Sequence, residues 1–477
     1  MTKNRVTRGI QAAVLAFAVV LAGCASAPAN SGGGGTSGGT SGNNEAAAKL
    51  AKDLNAAKAG GTVTLSGWVE LNTALTVPEG VTLDLTEEGA GLELQDGAVL
   101  TVNGTVRTTG HGDHGKGWVE GALRVGDGAA TINGSGTIKL TSKGRLLNIG
   151  SDKGKRQLTL DGVTLVGLPD NDSSLVGIYE NSEFVLKSGA ITGNTYNSNE
   201  WATGGGVNVW YGTFTMEGGE ISGNTASCKE GGHGGGVSIG EKAVFTMTGG
   251  AISGNTAQGR NALGGGVNGG FESSFTLSGG TISGNIAVGT RNGGGGGVNM
   301  NKNKSFTMTG GTISANTASG DSAGMGGGVR LGLSSTFTLS GGTISGNNAK
   351  SKAGGVDGGG VTVGDGSMFT MKGGAIAGNT VGNGRGRGGG VSVNKGDSPA
   401  TFIMEGGTIY GKAGSLPAGT DSSLANSAGN GASLVVNGST AKWGTGGTYT
   451  KGGVPQSGGS DIGSTTDDTL IAVPQAR

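Results

Sequence analysis

The sequence predicts an all-β fold, a right-handed parallel β-helix with a short N-terminal capping helix. The main observation is a phrase of about 31 residues that recurs through the second half of the chain, and a fixed period of this length indicates one structural unit stacked on copies of itself. A phenylalanine marks each copy, at Phe184, Phe214, Phe245, Phe275, Phe306, Phe337, Phe369 and Phe402.

Glycine is the second observation, because 109 of the 477 residues are glycine. Without a period, this much glycine would predict disorder. Here glycine pairs precede each isoleucine and glycine runs precede each valine, as at Gly249 and Gly250 before Ile252. We expect these glycines at corners, where the backbone needs positive φ or close approach.

The third observation is the strand-like alternation inside each copy. Phe245 and Met247 point one way and Thr246 the other, because side chains alternate along a strand. Ile252 and Val267 then supply two further walls, so each unit is predicted as three short strands around a triangle. Copies stacked about 4.8 Å apart would place like side chains over like in the core.

Asparagine recurs with the same period. Stacked asparagines can hydrogen-bond to the copies above and below and satisfy turn amides that lack a sheet partner. Separate turn-forming asparagines fit the same sequence, although we favour the ladder. The series is Asn194, Asn224, Asn255, Asn285, Asn316, Asn347 and Asn379.

The first residues have the character of an export signal. Lys3, Arg5 and Arg8 precede an apolar stretch over 10–22, which is too short to span a membrane. The stretch ends in Leu-Ala-Gly-Cys at 21–24 and resembles the bacterial lipoprotein signal. This resemblance implies that residues 1–23 are removed and that Cys24 carries lipid, such as palmitate.

The rest of the chain divides by composition. Residues 24–42 are a Gly/Ser-rich tether, and strong helix formers over 43–60 predict a capping helix that shields the first coil. Irregular coils follow over 61–183, and the repeats over 184–412. Residues 413–451 are expected to cap the stack, since terminal repeats are atypical. Residues 452–477 are expected to be a tail, which could fold back.

The repeat phrase carries a family resemblance. Gly-Gly-x-Ile followed by Ser-Gly-Asn-Thr is similar to the repeats of polymorphic outer-membrane proteins, autotransporter passenger domains and repeat-bearing bacterial lipoproteins. The resemblance covers about Thr62 to Lys451. It implies a parallel β-helix displayed at the cell surface, and we expect it to act as a rigid structural spacer or as an adhesin-like binding module. A lipid at Cys24 is the expected anchor, and Ala25 after it favours the outer membrane.

Residues for catalysis or metal binding are sparse. His111, Asp113 and His114 could hold a metal, but no fourth ligand is evident and a solvated loop is the expected reading. His233 is expected in a turn, and Cys228 in a loop. We expect no metal and no cofactor. We also expect no nucleic-acid partner, because 33 basic residues balance 33 acidic ones.

An enzyme is the alternative, since parallel β-helices also host polysaccharide lyases and hydrolases. Such enzymes need clustered carboxylates, whereas Glu217, Glu220 and Glu405 are isolated. We therefore expect no catalytic residues. Acids gathered on one face of the structure would favour the alternative. The basic cluster Lys153, Lys155 and Arg156 is expected in a solvated loop. The aromatics Trp201, Trp210 and Tyr211 would stack a sugar or close a seam in the stack.

A variable stretch falls at the same place in every copy, so these stretches should project from one edge. They carry more basic than acidic residues, which predicts a mildly basic ridge that meets an acidic glycan or protein. Solubility is the competing explanation for these charges. The basic residues are Lys229, Arg260, Arg291, Lys350, Lys352, Arg385 and Arg387, and the acidic ones Glu200, Glu230, Asp321 and Asp357.

Overall fold

The computed structural model describes residues 40–113, 118–150, 154–382, 386–429, 431–437, 440–443, 448–451, 454–457, 461–462, 465–469 and 471–473. The predicted signal peptide, Cys24 and the tether up to residue 39 lie outside these residues. So do His114, Lys153 and Arg385, which belonged to predicted sites.

The fold is an all-β parallel solenoid of about ten turns, which confirms the predicted fold class. Each repeat contributes strands to three rows, which we call the Phe, Ile and Val rows after their buried residue. Residues opposite one another on paired strands are equivalent residues of successive copies, such as Phe245 with Phe275 and Ile252 with Ile282. The copies therefore lie directly over one another.

The Phe and Ile rows belong to one 26-stranded sheet. The Phe row contains Ala74–Val77, Val99–Val102, Gly128–Asn133, Arg156–Asp161, Ser182–Leu186, Thr213–Met216, Val244–Met247, Ser274–Leu277, Ser305–Met308, Thr336–Leu339 and Thr440–Trp443. The Ile row contains Thr62–Thr64, Thr82–Leu85, Thr105–Thr108, Thr137–Leu140, Thr164–Val166, Ala190–Thr192, Glu220–Ser222, Ala251–Ser253, Thr281–Ser283, Thr312–Ser314 and Thr343–Ser345. Two longer strands, Met368–Ala377 and Thr401–Ile409, bend from one row into the other.

The Val row is divided into two sheets. The first contains Trp68–Leu71, Gly91–Leu94 and Leu123–Val125. The second contains Leu147–Ile149, Val176–Ile178, Val207–Val209, Val237–Ile239, Val267–Gly269, Val298–Asn301, Val329–Gly332, Val361–Gly364, Val391–Asn394 and Leu434–Asn437. A small hairpin, Gly112–Asp113 with Trp118–Val119, is inserted before the break between them.

The core of the repeats is a column of stacked phenylalanine rings. From Phe184 to Phe402, each ring is at most 1% exposed, and successive centroids are 4.5–5.5 Å apart. Aromatic burial of this kind is among the largest stabilising contributions that a core residue makes. One ring per turn therefore links each copy to the next along the whole repeat region.

A helix precedes the first turn, as predicted. It extends over Thr40–Ala56 and buries Leu50 and Leu54 in the main core. Both ends lie a few positions before the predicted limits of 43–60. The N-terminal limit is weakly specified by sequence, because the first-turn N–H groups need no partner within the helix.

The last turn is covered by antiparallel strands. Thr465–Asp467 pairs with Leu434–Asn437, Asp461–Ile462 with Thr440–Trp443, and Ile471–Val473 with Thr401–Ile409. These three strands of the expected tail therefore fold back onto the stack, and the hairpin Thr448–Lys451 with Val454–Ser457 precedes them. Two 3-10 turns, Ala413–Ser415 and Ser422–Leu424, lie in the connection to the last turn. Pairing of this kind protects the edge of the stack from another chain.

The variable stretches form strands, which corrects their interpretation as loops. They build a fourth, parallel sheet that we call the wing. Its outgoing strands are Thr195–Ser198, Thr225–Cys228, Thr317–Gly320, Asn348–Ser351 and Thr380–Val381, and its returning strands are Ala202–Thr203, Gly232–His233, Ala323–Met325 and Gly355–Asp357. Thr256–Leu263 and Ile286–Gly294 run out and back as single long strands.

Candidate binding surfaces

The wing is a thin double layer whose interior is mostly alanine and glycine, with Cys228 near its first turn and Val356 and Val381 near its last. Ala226, Ala257, Ala287, Ala318 and Ala349 are 0% exposed and form its interior. A Cβ added to Gly232 would lie 2.0 Å from the carbonyl oxygen of Ala226, and one at Gly324 would lie 2.2 Å from that of Lys350. The two layers therefore meet backbone to backbone. This leaves no room for large apolar residues, which is why the sequence resembles a loop.

Three of the predicted basic residues pair with acids one turn earlier. Arg260 lies 3.3 Å from Glu230, Lys352 lies 2.8 Å from Asp321, and Arg387 lies 3.0 Å from Asp357. The Arg387 guanidinium donates to both carboxylate oxygens of Asp357. These pairs lower the positive potential of the ridge, because each cation is offset by a neighbouring carboxylate.

Lys229, Arg291 and Lys350 make no ion pair with any residue that the structure describes. In the described wing, six basic residues stand against four acidic ones, which leaves an excess of two positive charges. Beside Lys229 a shallow cavity of about 430 Å³ is lined by Cys228, Gln258, Val288 and Lys352 among others. The unpaired cations and this cavity are the parts of the predicted ridge that remain open to a ligand.

The predicted asparagines lie in one buried column. From Asn224 to Asn347, the backbone N–H and Nδ2 of each donate to Oδ1 of the next asparagine at 2.9–3.1 Å. Nδ2 also donates to an isoleucine carbonyl one turn earlier, at 2.8–2.9 Å. The side chains thus bridge backbone groups at a corner where no strand pairing exists.

The asparagine column contains two residues more than the repeat period predicts. Asn171 donates from Nδ2 to Oδ1 of Asn194 at 2.9 Å, and Asn379 donates from Nδ2 to Oδ1 of Asn426 at 3.0 Å. Asn171 and Asn426 are offset from these neighbours by 23 and 47 positions, so the repeat period did not reveal them. All these side chains are buried, which gives the column a structural role and leaves it inaccessible to a ligand.

His111 is buried, in contrast to the predicted solvated loop. Its backbone exchanges two hydrogen bonds with Arg145, and its Nε2 donates to the carbonyl of Leu123 at 2.8 Å. Burial lowers the pKa of His111 to about 4, so the imidazole is neutral. The ring therefore satisfies a strand carbonyl at the break in the Val row. No metal-ligand cluster occurs among the described residues.

His233 and Cys228 also lie in the wing and not in turns or loops. Burial lowers the pKa of His233 to about 4, and its ring centroid lies 6.0 Å from that of Trp201. The Cys228 thiol is 4% exposed and donates to the carbonyl of Glu200 at 2.9 Å. Both side chains are part of the packing where the wing begins.

The described residues of the predicted basic cluster form ion pairs with acids on neighbouring turns. Arg156 starts a strand and lies 3.1 Å from Asp127, while Lys155 lies 3.8 Å from Glu183. The predicted aromatics do not close a seam, because Trp201, Trp210 and Tyr211 are 53%, 43% and 37% exposed. These rings are available to a partner.

The sequence did not predict a row of charged residues on the first Val-row sheet, in which two glutamates lie side by side. Glu70, Glu93 and Arg124 are in register on adjacent strands, and Arg124 lies 2.7 Å from Glu120. Burial raises the pKa of Glu93, although Arg124 opposes this effect together with Arg156. The spacing of these early strands is shorter than the period of the later repeats, so the alignment of the acids was not visible.

A cavity of about 690 Å³ lies beside this row, lined by Trp68, Glu87, Glu88, Glu120 and Arg124 among others. The Trp68 ring lies over Gly91, whose added Cβ would come within 1.7 Å of it. The Arg124 guanidinium lies 4.0 Å from the ring centroid. Trp68 is therefore held in place by a cation–π contact.

The fold and these surfaces define a parallel β-solenoid with a lateral wing. The chain matches no protein-family model, no curated protein and no solved structure in the comparisons made. Within the described residues, no helix combines the length and the apolar character of a membrane span.

Proposed function

We propose that this chain is a lipid-anchored cell-envelope protein whose solenoid is a surface-displayed, adhesin-like binding module. The Leu-Ala-Gly-Cys motif at 21–24 supports the anchor, at Cys24. The wing carries the binding proposal. Its interior is mostly alanine and glycine, whereas its outer positions vary from turn to turn, as at Ser227, Gln258 and Val288. Variable positions on a rigid repeat framework are typical of a binding face.

An acidic glycan is the proposed ligand of the wing, held by Lys229, Arg291 and Lys350. These cations have no carboxylate partner among the described residues, so a ligand's sulfate or carboxylate would not have to displace one. The paired cations Arg260, Lys352 and Arg387 provide a matched comparison, because they carry the same formal charge on the same sheet.

Binding of a fluorescent sulfated polysaccharide to purified chain and to intact expressing cells tests the proposal. We expect replacement of Lys229, Arg291 and Lys350 by serine to weaken binding by roughly tenfold. The same change at Arg260, Lys352 and Arg387 should weaken it less. Equal losses would contradict a site at the unpaired cations. Cys24→Ser should abolish labelling of cells while the purified chain still binds, and cells that label only after permeabilisation would contradict surface display.

A carbohydrate-active enzyme is the second candidate, favoured by the pairing of Glu70 with Glu93. Equivalent side chains on adjacent strands lie about 4.8 Å apart, close to the roughly 5 Å between the carboxyls of retaining glycosidases. The raised pKa of Glu93 suits a general acid that protonates the leaving oxygen, and Glu70 would then attack the anomeric carbon.

Release of reducing ends from a panel of neutral and acidic polysaccharides tests this candidate. If the chain is such an enzyme, we expect Glu93→Gln to lower the rate by at least about a hundredfold. Glu217→Gln, on an exposed face of the repeats, should leave it unchanged. Absence of any released sugar, or equal rates for both variants, would remove this candidate.

A further inference from the structure

A second exposed surface lies at the corner between the Val row and the Phe row. We call it the aromatic corner and define it by Glu180, Trp210, Tyr211, Glu241, Phe271 and Glu272. Trp210, Tyr211 and Phe271 are 43%, 37% and 43% exposed. The Tyr211 N–H donates to Glu241 O at 3.0 Å, and Lys242 N–H donates to Phe271 O at 3.1 Å. With Glu180 one turn before Trp210 and Tyr211, the six residues lie on four successive turns.

The aromatic corner is rich in carboxylates. The pKa of Tyr211 is raised, first by a hydrogen bond of its hydroxyl to Glu241, then by desolvation, and then by the charges of Glu241, Glu180 and Glu272. In the part of the chain that the structure describes, none of these three glutamates forms an ion pair. Lys242 lies on the same turn as Glu241. One lysine against three glutamates leaves the patch an excess of negative charge.

Tyr211 adopts a backbone conformation that disfavours a bulky residue. Its φ is 60°, in the left-handed region, and the equivalent corner residues of neighbouring turns share this conformation: Asn181 with φ 59°, Lys242 with φ 52° and Glu272 with φ 53°. Asparagine tolerates this region better than tyrosine does. The bend of the backbone at this corner imposes the conformation on each of these turns. What distinguishes the turn of Tyr211 is an aromatic ring that remains 37% exposed at a position better suited to asparagine.

The corner also orients its rings. Trp210 extends over the next turn, where an added Cβ on Gly240 would lie 2.6 Å from its Cε3 atom. The Trp210 and Tyr211 rings have centroids 6.0 Å apart and planes inclined by 60°. Beside Tyr211, a cavity of about 520 Å³ is lined by Lys155, Asn181, Ser182, Glu183 and Thr213 among others. Two inclined aromatic faces and a polar recess are thus adjacent.

We propose that the aromatic corner binds an extended basic segment of a partner polypeptide. Arginine or lysine side chains would lie over the rings of Trp210, Tyr211 and Phe271 and pair with Glu180, Glu241 and Glu272. Cations are attracted to aromatic faces, and the guanidinium group stacks on them while it pairs with carboxylates. The charge of this surface is opposite to that of the wing, so the two surfaces select different partners. The inference does not depend on the cellular location or on the wing.

Fluorescence anisotropy of a labelled peptide of alternating arginine and serine with the purified chain tests the inference. We expect the triple variant W210A, Y211A and F271A to bind at least about tenfold more weakly, since each cation–π contact contributes a factor of about two to five. The control variant I286A and M368A removes apolar residues of similar exposure on other surfaces and should change the affinity less than about twofold.

A matched pair of variants tests the contribution of the glutamate charges to binding. Replacing Glu180, Glu241 and Glu272 by glutamine should weaken binding and reduce its dependence on salt. Replacing Glu79, Glu88 and Glu217, which are exposed on other surfaces, changes the net charge equally and should have little effect. Equal losses in both sets would show general electrostatic attraction and overturn the proposal.

Two further measurements separate peptide binding from unfolding and from self-association. Tyr211→Asn should raise the denaturation midpoint by relieving strain and still weaken the peptide, so that weaker binding cannot be ascribed to unfolding. Sedimentation of the chain without peptide should show a monomer. Salt-sensitive self-association that the aromatic triple variant abolishes would mean that the occupant is a second copy, and would overturn the proposal.

Discussion

Asn285→Ala is expected to lower the free energy of unfolding by at least about 4 kcal/mol. The Asn285 side chain donates to Ile252 O and Asn316 Oδ1, both at 2.9 Å, and accepts from N–H and Nδ2 of Asn255 at 3.0 Å. Alanine would leave these buried groups without partners, and each such group costs about 1–3 kcal/mol. Chemical denaturation followed by circular dichroism measures the change.

Asn292→Ala is the control for this prediction. Asn292 donates one hydrogen bond to Asn261 Oδ1 at 2.9 Å, in the half-buried outer part of the wing. Removing a single exposed bond should cost about 1 kcal/mol or less. A similar small cost for Asn285→Ala would mean that water replaces the ladder, contrary to its complete burial.

Lys304→Met is expected to stabilise the fold at neutral pH. Lys304 is 5% exposed and occupies a position where other turns carry Ala243, Ser273 or Ser335. Its Nζ donates to Gly269 O, and its stem fills space beside Gly269, which replaces the isoleucine of the preceding turn. Burial first, then the charges of Lys302 and Arg330, lower the pKa of Lys304 to about 7. Methionine would fill the space without this cost.

The pH dependence of stability tests whether the buried amine of Lys304 is the cause of this cost. Between about pH 7 and the usual pKa of 10.5, the unfolded chain binds a proton at Lys304 that the folded chain does not. The free energy of unfolding should therefore rise with pH over this interval, by up to roughly 5 kcal/mol relative to Lys304→Met, and be flat below it. Denaturation at pH 6, 8 and 10 measures the difference between the two proteins.

Lys395→Met, at an exposed position, should show no such dependence. The comparison between variants matters because Tyr179 and Tyr196, whose pKa values burial raises, also affect stability at high pH. A difference between wild type and Lys304→Met that stays constant from pH 6 to 10 would mean that the amine is solvated in the folded chain.

The core rows were predictable from the sequence, and the wing was not. The spacing of Phe245, Ile252 and Val267 identifies three walls, because large apolar side chains in a fixed period must lie over one another. The wing has no such marker. Its interior is mostly alanine and glycine, which occur equally in loops, and only the close approach of two backbones makes them a core.

The candidate surfaces were predictable in part. Asp357 and Arg387 are separated by one repeat, so their pairing could have been read from the period. The aromatic corner was harder to recognise, because Trp210 and Phe271 share a register position but the turn between them carries Glu241 there, so no aromatic recurs on consecutive copies. His111 was likewise misjudged, since its burial depends on a strand carbonyl at the break in the Val row.

By itself, the sequence determined that the chain stacks and which residue types form its core, because its fixed period places the same buried side chains on every turn. Only the tertiary structure decided which charges are neutralised, how the ends are covered and which aromatic rings stay exposed. These features depend on neighbours that the repeat does not encode: residues on adjacent turns, where the stacking of about 4.8 Å per turn brings distant positions into contact.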